Sequence, residues 1–264
     1  MTIRHIKDTR LLVDGLHTGE DDGFSLMPPK LLTQLHNNTG LFRHINAYLF
    51  THLHSDHYDQ QFLETALDHS ICQPKVFGPE LSLSTIKPYA LQEKIGCFRV
   101  KDVSVYTLKT EHIGKQYVDV PHCSILLATG NESYFIAGDG ILIPKYGSFL
   151  VKNINSNVQT VFVNVYQLSS KESIEFIRRL APSRIFLYHF PFLEDDSHHY
   201  LKLQTRVIKN CPKDLPTPLM YEINIQILKR GRFQKEAAFL CLFYKDNCLL
   251  FSNYSIPPSI FGDG

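Results

Sequence analysis

Short apolar runs alternate along the chain with stretches whose apolar residues recur at helical spacing, a pattern that predicts an α/β protein. Four of the runs stop at a polar group. Ala47-Tyr48-Leu49-Phe50-Thr51 leads into His52, and Val103 to Leu108 alternates before Lys109-Thr110-Glu111-His112. Tyr134-Phe135-Ile136-Ala137 runs into Gly138-Asp139-Gly140, and Arg184-Ile185-Phe186-Leu187-Tyr188 runs into His189. Each reads as a strand that delivers a polar side chain to the rim of a sheet, where the sheet holds site-forming loops rigidly.

Helices are expected between these strands. Asp59 can cap one that carries Phe62, Leu63, Ala66 and Leu67 on one face. Ser169 to Glu172 has capping-box spacing ahead of Ile174, Ile177 and Leu180. A third helix is expected to begin near Asp195-Asp196, to present Leu201 and Ile208, and to stop before Pro212. Residues 15–30 have the Gly, Pro and acidic content of a loop. Phe239 to Tyr244, a Lys245-Asp246-Asn247 turn and Cys248 to Phe251 read as a β-hairpin. Its Phe239-Leu240-Cys241-Leu242-Phe243 arm is apolar on both faces, so the main domain or a second copy of the chain is expected to cover it.

Composition narrows the class. The 264 residues exceed one average domain of ~150, but single α/β domains reach ~250. The expected division is a main domain over 1–224 and an extension over 225–264, with homo-oligomerisation through the hairpin as one outcome. With 44% apolar and 20% charged residues, the chain is not mainly disordered, collagenous or coiled-coil. The net charge of +1 provides no general attraction to nucleic acid or an anionic membrane. Six cysteines form no C-x-x-C pair, and MTIRHIKDTR is too charged for a signal peptide's apolar segment, so a reducing cytoplasm is the expected location. No run approaches the ~20 apolar residues of a membrane span, so a soluble protein is expected.

Histidine is the anomaly, with thirteen in the chain. His52-Leu53-His54-Ser55-Asp56-His57 sets three imidazoles and a carboxylate within six residues, directly after a buried run. In extended backbone His52 and His54 share a face and can grip one ion together. Where the chain turns into the Asp59 helix, Asp56 and His57 point elsewhere, which suits a second ion nearby. At this chain's own His and Asp frequencies the pattern arises by chance roughly twice per thousand sequences of this length.

His-x-His-x-Asp-His after a strand, a later His after a strand, an Asp in a Gly-Asp-Gly turn and a last His after another strand together resemble the metallo-β-lactamase superfamily. The resemblance spans roughly residues 3–210 and is most specific at 52–57. It implies an αββα sandwich, two mixed β-sheets flanked by helices, with a dinuclear site at one rim. It also implies that His52 and His54 bind the first metal, that Asp56, His57 and His189 bind the second, and that Asp139 bridges them. The third ligand of the first site is His112, which follows a strand as in the family, or His122, which stands just before Cys123 to Ala128; the other would face the ligands or the substrate. Gly138-Asp139-Gly140 departs from the family's usual Gly-Asp-Thr and removes a hydroxyl that could orient the carboxylate. Tyr58 stands where small residues are common, and either narrows the pocket or packs on the following helix.

The expected cofactors are two divalent transition metals, zinc first, with manganese or iron also suited to imidazole and carboxylate ligands. The expected activity is metal-dependent hydrolysis by hydroxide held between the ions. Asp56 or Asp139 would take the water's proton, and Tyr188 or His122 would serve the leaving group. His54 differs from the Glu of flavin-linked diiron members, and His57 from the pattern of many true β-lactamases. The motif stands closer to lactonase, glyoxalase II-like, phosphodiesterase and tRNase Z-like members. A small ester, lactone, thioester or phosphodiester is therefore the expected substrate. Glu20-Asp21-Asp22 and the charge balance argue against structured nucleic acid, although Lys229-Arg230-Gly231-Arg232 could form an RNA-binding arm. Phe24 and Met27 would offer apolar contacts from a lid, and a metal-stabilised binding protein without catalysis is the remaining alternative.

Overall fold

Side chains alternate across a strand, so a sheet buried on both faces must be apolar at consecutive positions. This chain meets that demand twice. The computed structural model describes residues 2–6, 9–17, 25–86, 95–130, 132–154, 158–189, 196–220 and 241–243. One mixed sheet contains β1 (Thr2–Ile6), β2 (Thr9–Val13), β3 (Ala47–Leu49), β4 (Lys75–Phe77) and β12 (Cys241–Phe243), in the order β12-β1-β2-β3-β4. The other contains β5 (Ile95–Val100), β6 (Val103–Thr110), β7 (His122–Ala128), β8 (Ser133–Ile136), β9 (Thr160–Val163), β10 (Arg184–Leu187) and β11 (Leu219–Met220), in the order β11-β10-β9-β8-β7-β6-β5.

Three apolar layers follow from the alternation. Leu11, Val13, Ala47 and Leu49 face Val105, Ile125, Leu127, Ile136 and Phe162 between the sheets. Leu12 and Tyr48 point the other way, onto Leu31 and Leu35 of α1 (Pro29–His36) and Leu63 of α2 (Gln60–Asp68). Leu126, Phe135, Val161 and Val163 of the second sheet meet α3 (Pro144–Ile154), α4 (Val165–Ser169), α5 (Lys171–Leu180) and α6 (Tyr200–Lys209) through Leu150, Leu168, Phe176, Ile177 and Val207. The architecture is an αββα sandwich. Full burial of each large aliphatic or aromatic side chain contributes roughly 1.5–3 kcal/mol before conformational entropy is set against it.

Asp59 caps α2 through Phe62 N–H, as the sequence predicts. Two helix starts differ from expectation. Ser169 is the last residue of α4 and bonds back to Val165 O, while Ser170 caps α5 through Ser173 N–H. The capping box lies instead at Asn164 and Gln167. α6 starts at Tyr200, four residues beyond Asp196, whose carboxylate accepts from Tyr200 N–H and Leu201 N–H. The loop anticipated over 15–30 ends earlier, because Pro29 opens α1; Pro is preorganised for a first helical turn. Within the expected hairpin, β12 pairs in parallel with β1, whereas 239–240 and the second arm at 248–251 lie outside the described residues. Among the described residues no helix is long and apolar enough to cross a membrane.

Strand direction positions the site. β2 and β3 run parallel, as do β8, β9 and β10, so their carboxyl ends present Asp14, His52, Asp139, Asn164 and His189 at one rim. β6 and β7 are antiparallel with Thr110 opposite His122, which brings the end of one and the start of the other to the same rim.

Candidate metal centre

The segment after β3 is pinned at both ends. Thr51 N–H and its hydroxyl donate to the two oxygens of Asp14 (2.8 and 2.7 Å), and Asp59 caps α2. Between them His57 N–H and Tyr58 N–H both donate to His54 O, closing a tight turn. His52 and His54 consequently point to one side and Asp56 and His57 to the other.

Two sets of ligand atoms result. His52, His54 and His112 converge in one, and Asp56, His57, Asp139 and His189 in the other. They meet at Asp139 Oδ2, which stands 3.5 Å from His57 Nε2 and His189 Nε2, 3.8 Å from His112 Nε2 and 3.9 Å from His52 Nε2. His52 Nε2 and His112 Nε2 are 3.3 Å apart, and His57 Nε2 and Asp56 Oδ2 are 3.5 Å apart. Ligand atoms about 2.1 Å from a tetrahedral ion stand about 3.4 Å from one another, so the donors have the spacing of a shared cation. His189 reaches the cluster from a left-handed backbone (φ 68°), a conformation that costs energy in a non-glycine residue.

Hydrogen bonds behind the rings fix which nitrogen faces inward. The Thr51 hydroxyl gives its proton to Asp14, so it accepts from His52 Nδ1–H (3.1 Å) and leaves Nε2 with its lone pair. Ile113 O can only accept, so His112 Nδ1 is the donor (2.6 Å) and Nε2 is again free. His57 Nδ1 stands 3.0 Å from Asp14 Oδ2. Such outer partners orient metal-binding imidazoles.

The electrostatics follow the same division. Burial keeps His52 and His112 below the ordinary imidazole range. Burial also works against the charge on His57 and His189, but Asp56 and Asp14 around the first and Asp139 and Asp56 around the second outweigh it and raise both. Burial opposes ionisation of Asp56 and Asp139 as well. His57 with the His189 hydrogen bond holds Asp56 low, and His189 and His57 hold Asp139 low.

His122 plays a different part from His112. Asp139 N–H donates to its Nε2 (2.9 Å) and its Nδ1–H donates to Thr110 Oγ1 (2.6 Å), so its one lone pair is taken and neither nitrogen is free, and burial lowers its pKa to about 3. The ring fills the space beside both glycines of the Asp139 turn. A Cβ on Gly138 would lie 2.6 Å from His122 Nε2, and one on Gly140 would lie 2.9 Å from His122 Cε1 and 2.7 Å from Thr110 Oγ1. The side chain that Gly140 lacks is thus excluded by Thr110 and His122 together. Asn164 orients the carboxylate instead, donating from Nδ2 to Asp139 Oδ1 (2.9 Å).

Other anticipated residues fall elsewhere. Met27 is buried against α1 and the first sheet, where its apolar side chain fills the core, so it is not a lid contact. Phe24 and residues 229–232 lie outside the described residues. Tyr58 packs edge-on against Phe50 (ring centroids 5.0 Å apart) on the side of the following helix. Tyr188 is buried between the sheets beneath His189, and burial pushes its phenol well above the usual range. The sequence reading missed Asp14 and Asn164, although Leu11-Leu12-Val13 and Val161-Phe162-Val163 are apolar runs that stop at them in the manner of the four it used. It also missed Tyr117, whose ring lies 4.9 Å from those of both His54 and His112. No local pattern marks that residue, because the proximity is purely tertiary.

No protein-family model and no curated protein sequence matches the chain. Solved structures do. CmlA, a diiron β-hydroxylase from Streptomyces venezuelae, is similar over 81% of this chain and 49% of that one, at 15% identity and a TM-score of 0.53. This chain therefore spans about half the length of that structure. YhfI from Bacillus subtilis, described as a metallo-β-lactamase fold protein, is similar over 82% of this chain and 85% of that one, at 10% identity and a TM-score of 0.50. Likeness at such identities speaks for the fold, and it agrees with the two face-to-face mixed sheets between helix layers. The chain has the metallo-β-lactamase fold.

Proposed function

We propose that this protein is a metal-dependent hydrolase of a small ester, lactone, thioester or phosphodiester. In this reading His52, His54 and His112 hold one divalent transition-metal ion, Asp56, His57 and His189 hold a second, and Asp139 lies between them. The observation that carries it is the convergence on Asp139 Oδ2 of four imidazole Nε2 atoms at 3.5–3.9 Å, the spacing of ligands around shared cations. Zinc is the ion proposed first, and the all-nitrogen and oxygen donor set also suits iron or manganese.

When bound, the two ions supply a water nucleophile at neutral pH and polarise the carbonyl or phosphoryl oxygen under attack. The chain's own groups do the rest. Asp56, kept ionised by His57 and His189, is the carboxylate available to take the water's proton, while Asn164 occupies the distal oxygen of Asp139. Thr51, Asp14 and Ile113 keep the imidazoles in the ligand tautomer. The Tyr117 ring, half-buried against His54 and His112, stands beside the first set of ligands.

The test is a substrate panel on protein loaded with zinc, manganese or iron. It contains esters, lactones, thioesters, a chromogenic phosphodiester and a precursor tRNA, each at two salt concentrations. Hydrolysis of a small substrate that is lost with chelator and restored by metal supports the reading. Salt-sensitive cleavage of the RNA, abolished when Lys229, Arg230 and Arg232 are neutralised, would replace it with a nuclease. Full metal loading with no hydrolysis of any substrate would favour the binding-protein alternative. The likeness to a diiron β-hydroxylase supports a second reading, iron-dependent oxidation at the same ligands. Reductant-dependent oxygen uptake by iron-loaded protein, without hydrolysis by the zinc form, would establish that one.

A further inference from the structure

Asn164 directly follows β9 and caps the start of α4 with extended backbone (φ −91°, ψ 173°). Both ends of its side-chain amide are engaged. Oδ1 accepts from Tyr166 N–H and Gln167 N–H (3.1 Å each), and Nδ2 donates to Asp139 Oδ1 (2.9 Å). The two donors at Oδ1 settle the orientation of the amide, because a flipped side chain would point NH₂ at two N–H groups and a carbonyl at a carboxylate. Gln167 completes the bracket: its Oε1 accepts from Asn164 N–H (2.8 Å), and its Nε2 donates to Gly138 O (3.0 Å) and Gly140 O (2.9 Å). The whole Gly138-Asp139-Gly140 turn is thereby bound to the first turn of α4. Both amides are buried.

We propose that Asn164 is the positioning residue of the metal centre, holding Asp139 Oδ1 so that Oδ2 alone faces the ions. This inference rests on the metal-binding reading above and goes beyond it by assigning a residue that contributes no ligand atom. The chemistry requires an amide at this position. A helix cap needs only an oxygen acceptor, which Asp or Ser supplies as well as Asn. The contact to Asp139 needs a donor, which ionised Asp lacks altogether and which Ser, one atom shorter, cannot extend from the same Cβ. Asn is the residue that provides both from one side chain without adding charge next to the carboxylate.

The two roles separate by mutation. Asn164→Asp and Asn164→Ser keep the cap acceptor and remove the donor. Metal-free Asn164→Ser keeps the cap and should unfold at a slightly lower urea midpoint than wild type, the cost of leaving buried Asp139 Oδ1 without its donor, whereas metal-free Asn164→Asp sets a second carboxylate against Asp139 and should unfold at a clearly lower one. Titration with zinc should then show one of the two ions bound 10- to 100-fold more weakly than in wild type, the range seen when an outer partner of a metal ligand is removed. In manganese-loaded protein the exchange-coupled electron paramagnetic resonance signal of a paired centre should give way to that of isolated ions. Wild-type affinity for both ions together with an unchanged coupled signal in either variant would overturn the inference. If wild type itself binds no metal, the metal-binding reading fails, whereas two ions in wild type and equal binding in the variants fail this inference alone. Asn164→Ala removes cap and donor together. It should lose stability as well as affinity, and a loss of affinity no larger than that of Asn164→Ser would confirm that the donor, and not the cap, sets the effect.

Discussion

Gly140→Ala tests the packing of the metal-binding turn, because two effects of opposite sign compete there. Replacing glycine by alanine at a compatible position stabilises a protein by about 0.4–1 kcal/mol through the unfolded chain. Gly140 has no left-handed backbone to object, so on that ground alone the change should help. The new methyl, however, would lie 2.7 Å from Thr110 Oγ1, 2.9 Å from His122 Cε1 and 3.1 Å from Thr110 Cβ. The Thr110 hydroxyl cannot swing away, because it receives the His122 Nδ1 hydrogen bond. Forcing a methyl into such a site costs about 1–3 kcal/mol, so the clash wins and the midpoint of thermal unfolding should fall by about 2–10 °C. Thermal unfolding of chelator-treated protein measures the shift, and equilibrium urea unfolding measures the free-energy cost. In a His122→Ala background the ring is gone and Thr110 is free to rotate, so the same substitution should cost at least about 1 kcal/mol less. Gly138→Ala should be rescued only in part in the same background: His122 Nε2, 2.6 Å from the new methyl, is removed, but Thr51, 2.8 Å away and tied to Asp14, stays, and the φ of +58° disfavours any side chain by about 1–2 kcal/mol. Wild-type stability of Gly140→Ala, or an equal cost in both backgrounds, would refute the account of why the turn ends in glycine.

Elemental analysis of metal-loaded protein should give about two transition-metal ions per chain, and Asp139→Ala should lose one of them together with most activity; a stoichiometry that stays at one in wild type would remove the dinuclear centre. His112→Ala should lower metal occupancy severely, whereas His122→Ala, which removes no free lone pair, should retain metal and lose stability; the reverse pattern would transfer the ligand role to His122. Metal-free protein should be most stable near neutral pH. The raised pKa values of His57 and His189 stabilise the fold fully below the unfolded imidazole value of about 6.5, and that contribution is lost as pH rises through their folded values. Lowered values at His52, His112 and His122 act oppositely, their contribution falling away as pH drops below about 6.5, and the depressed Asp56 and Asp139 add to the loss below about 4. A urea midpoint that climbs steadily from pH 6 to pH 10 in chelator would contradict these signs.

What could be read from the sequence depended on how local the cause was. Strands β3, β6, β8 and β10 were legible because each is a short apolar run ended by a polar residue, and His52 to His57 were legible because six consecutive residues carry the pattern. The Asp59 cap needed only the three-residue spacing to Phe62. Ser169 and Ser170 both precede acidic and apolar residues at near-capping spacing, so one-dimensional spacing could not separate them; the choice falls to Ser170 because Asn164 and Gln167 have already started α4 five residues upstream. Met27 was read as a lid because loop composition carries no information about which side of a sheet a side chain meets. His112 and His122 could not be distinguished by order along the chain either. What separates them is a backbone N–H, that of Asp139, which occupies His122 Nε2 and has no counterpart at His112.

The two ligand sets are not independent, and the reason lies in Asp14. This residue leaves β2 in a left-handed conformation (φ 46°) and is buried, so its carboxylate needs partners on every side. It finds them in both sets. Through Thr51 it fixes the tautomer of His52, and its Oδ2 stands 3.0 Å from His57 Nδ1 as an ion-pair partner. On the opposite wall Asn164 holds Asp139, the carboxylate that faces both sets. Neutralising Asp14 with asparagine would therefore disturb His52 and His57 together, whereas a defect at Ile113 would reach His112 alone. Cooperative loss of both ions from Asp14→Asn in a metal titration is what this wiring requires; loss of one ion with the other unaffected would mean that the two sets are supported separately.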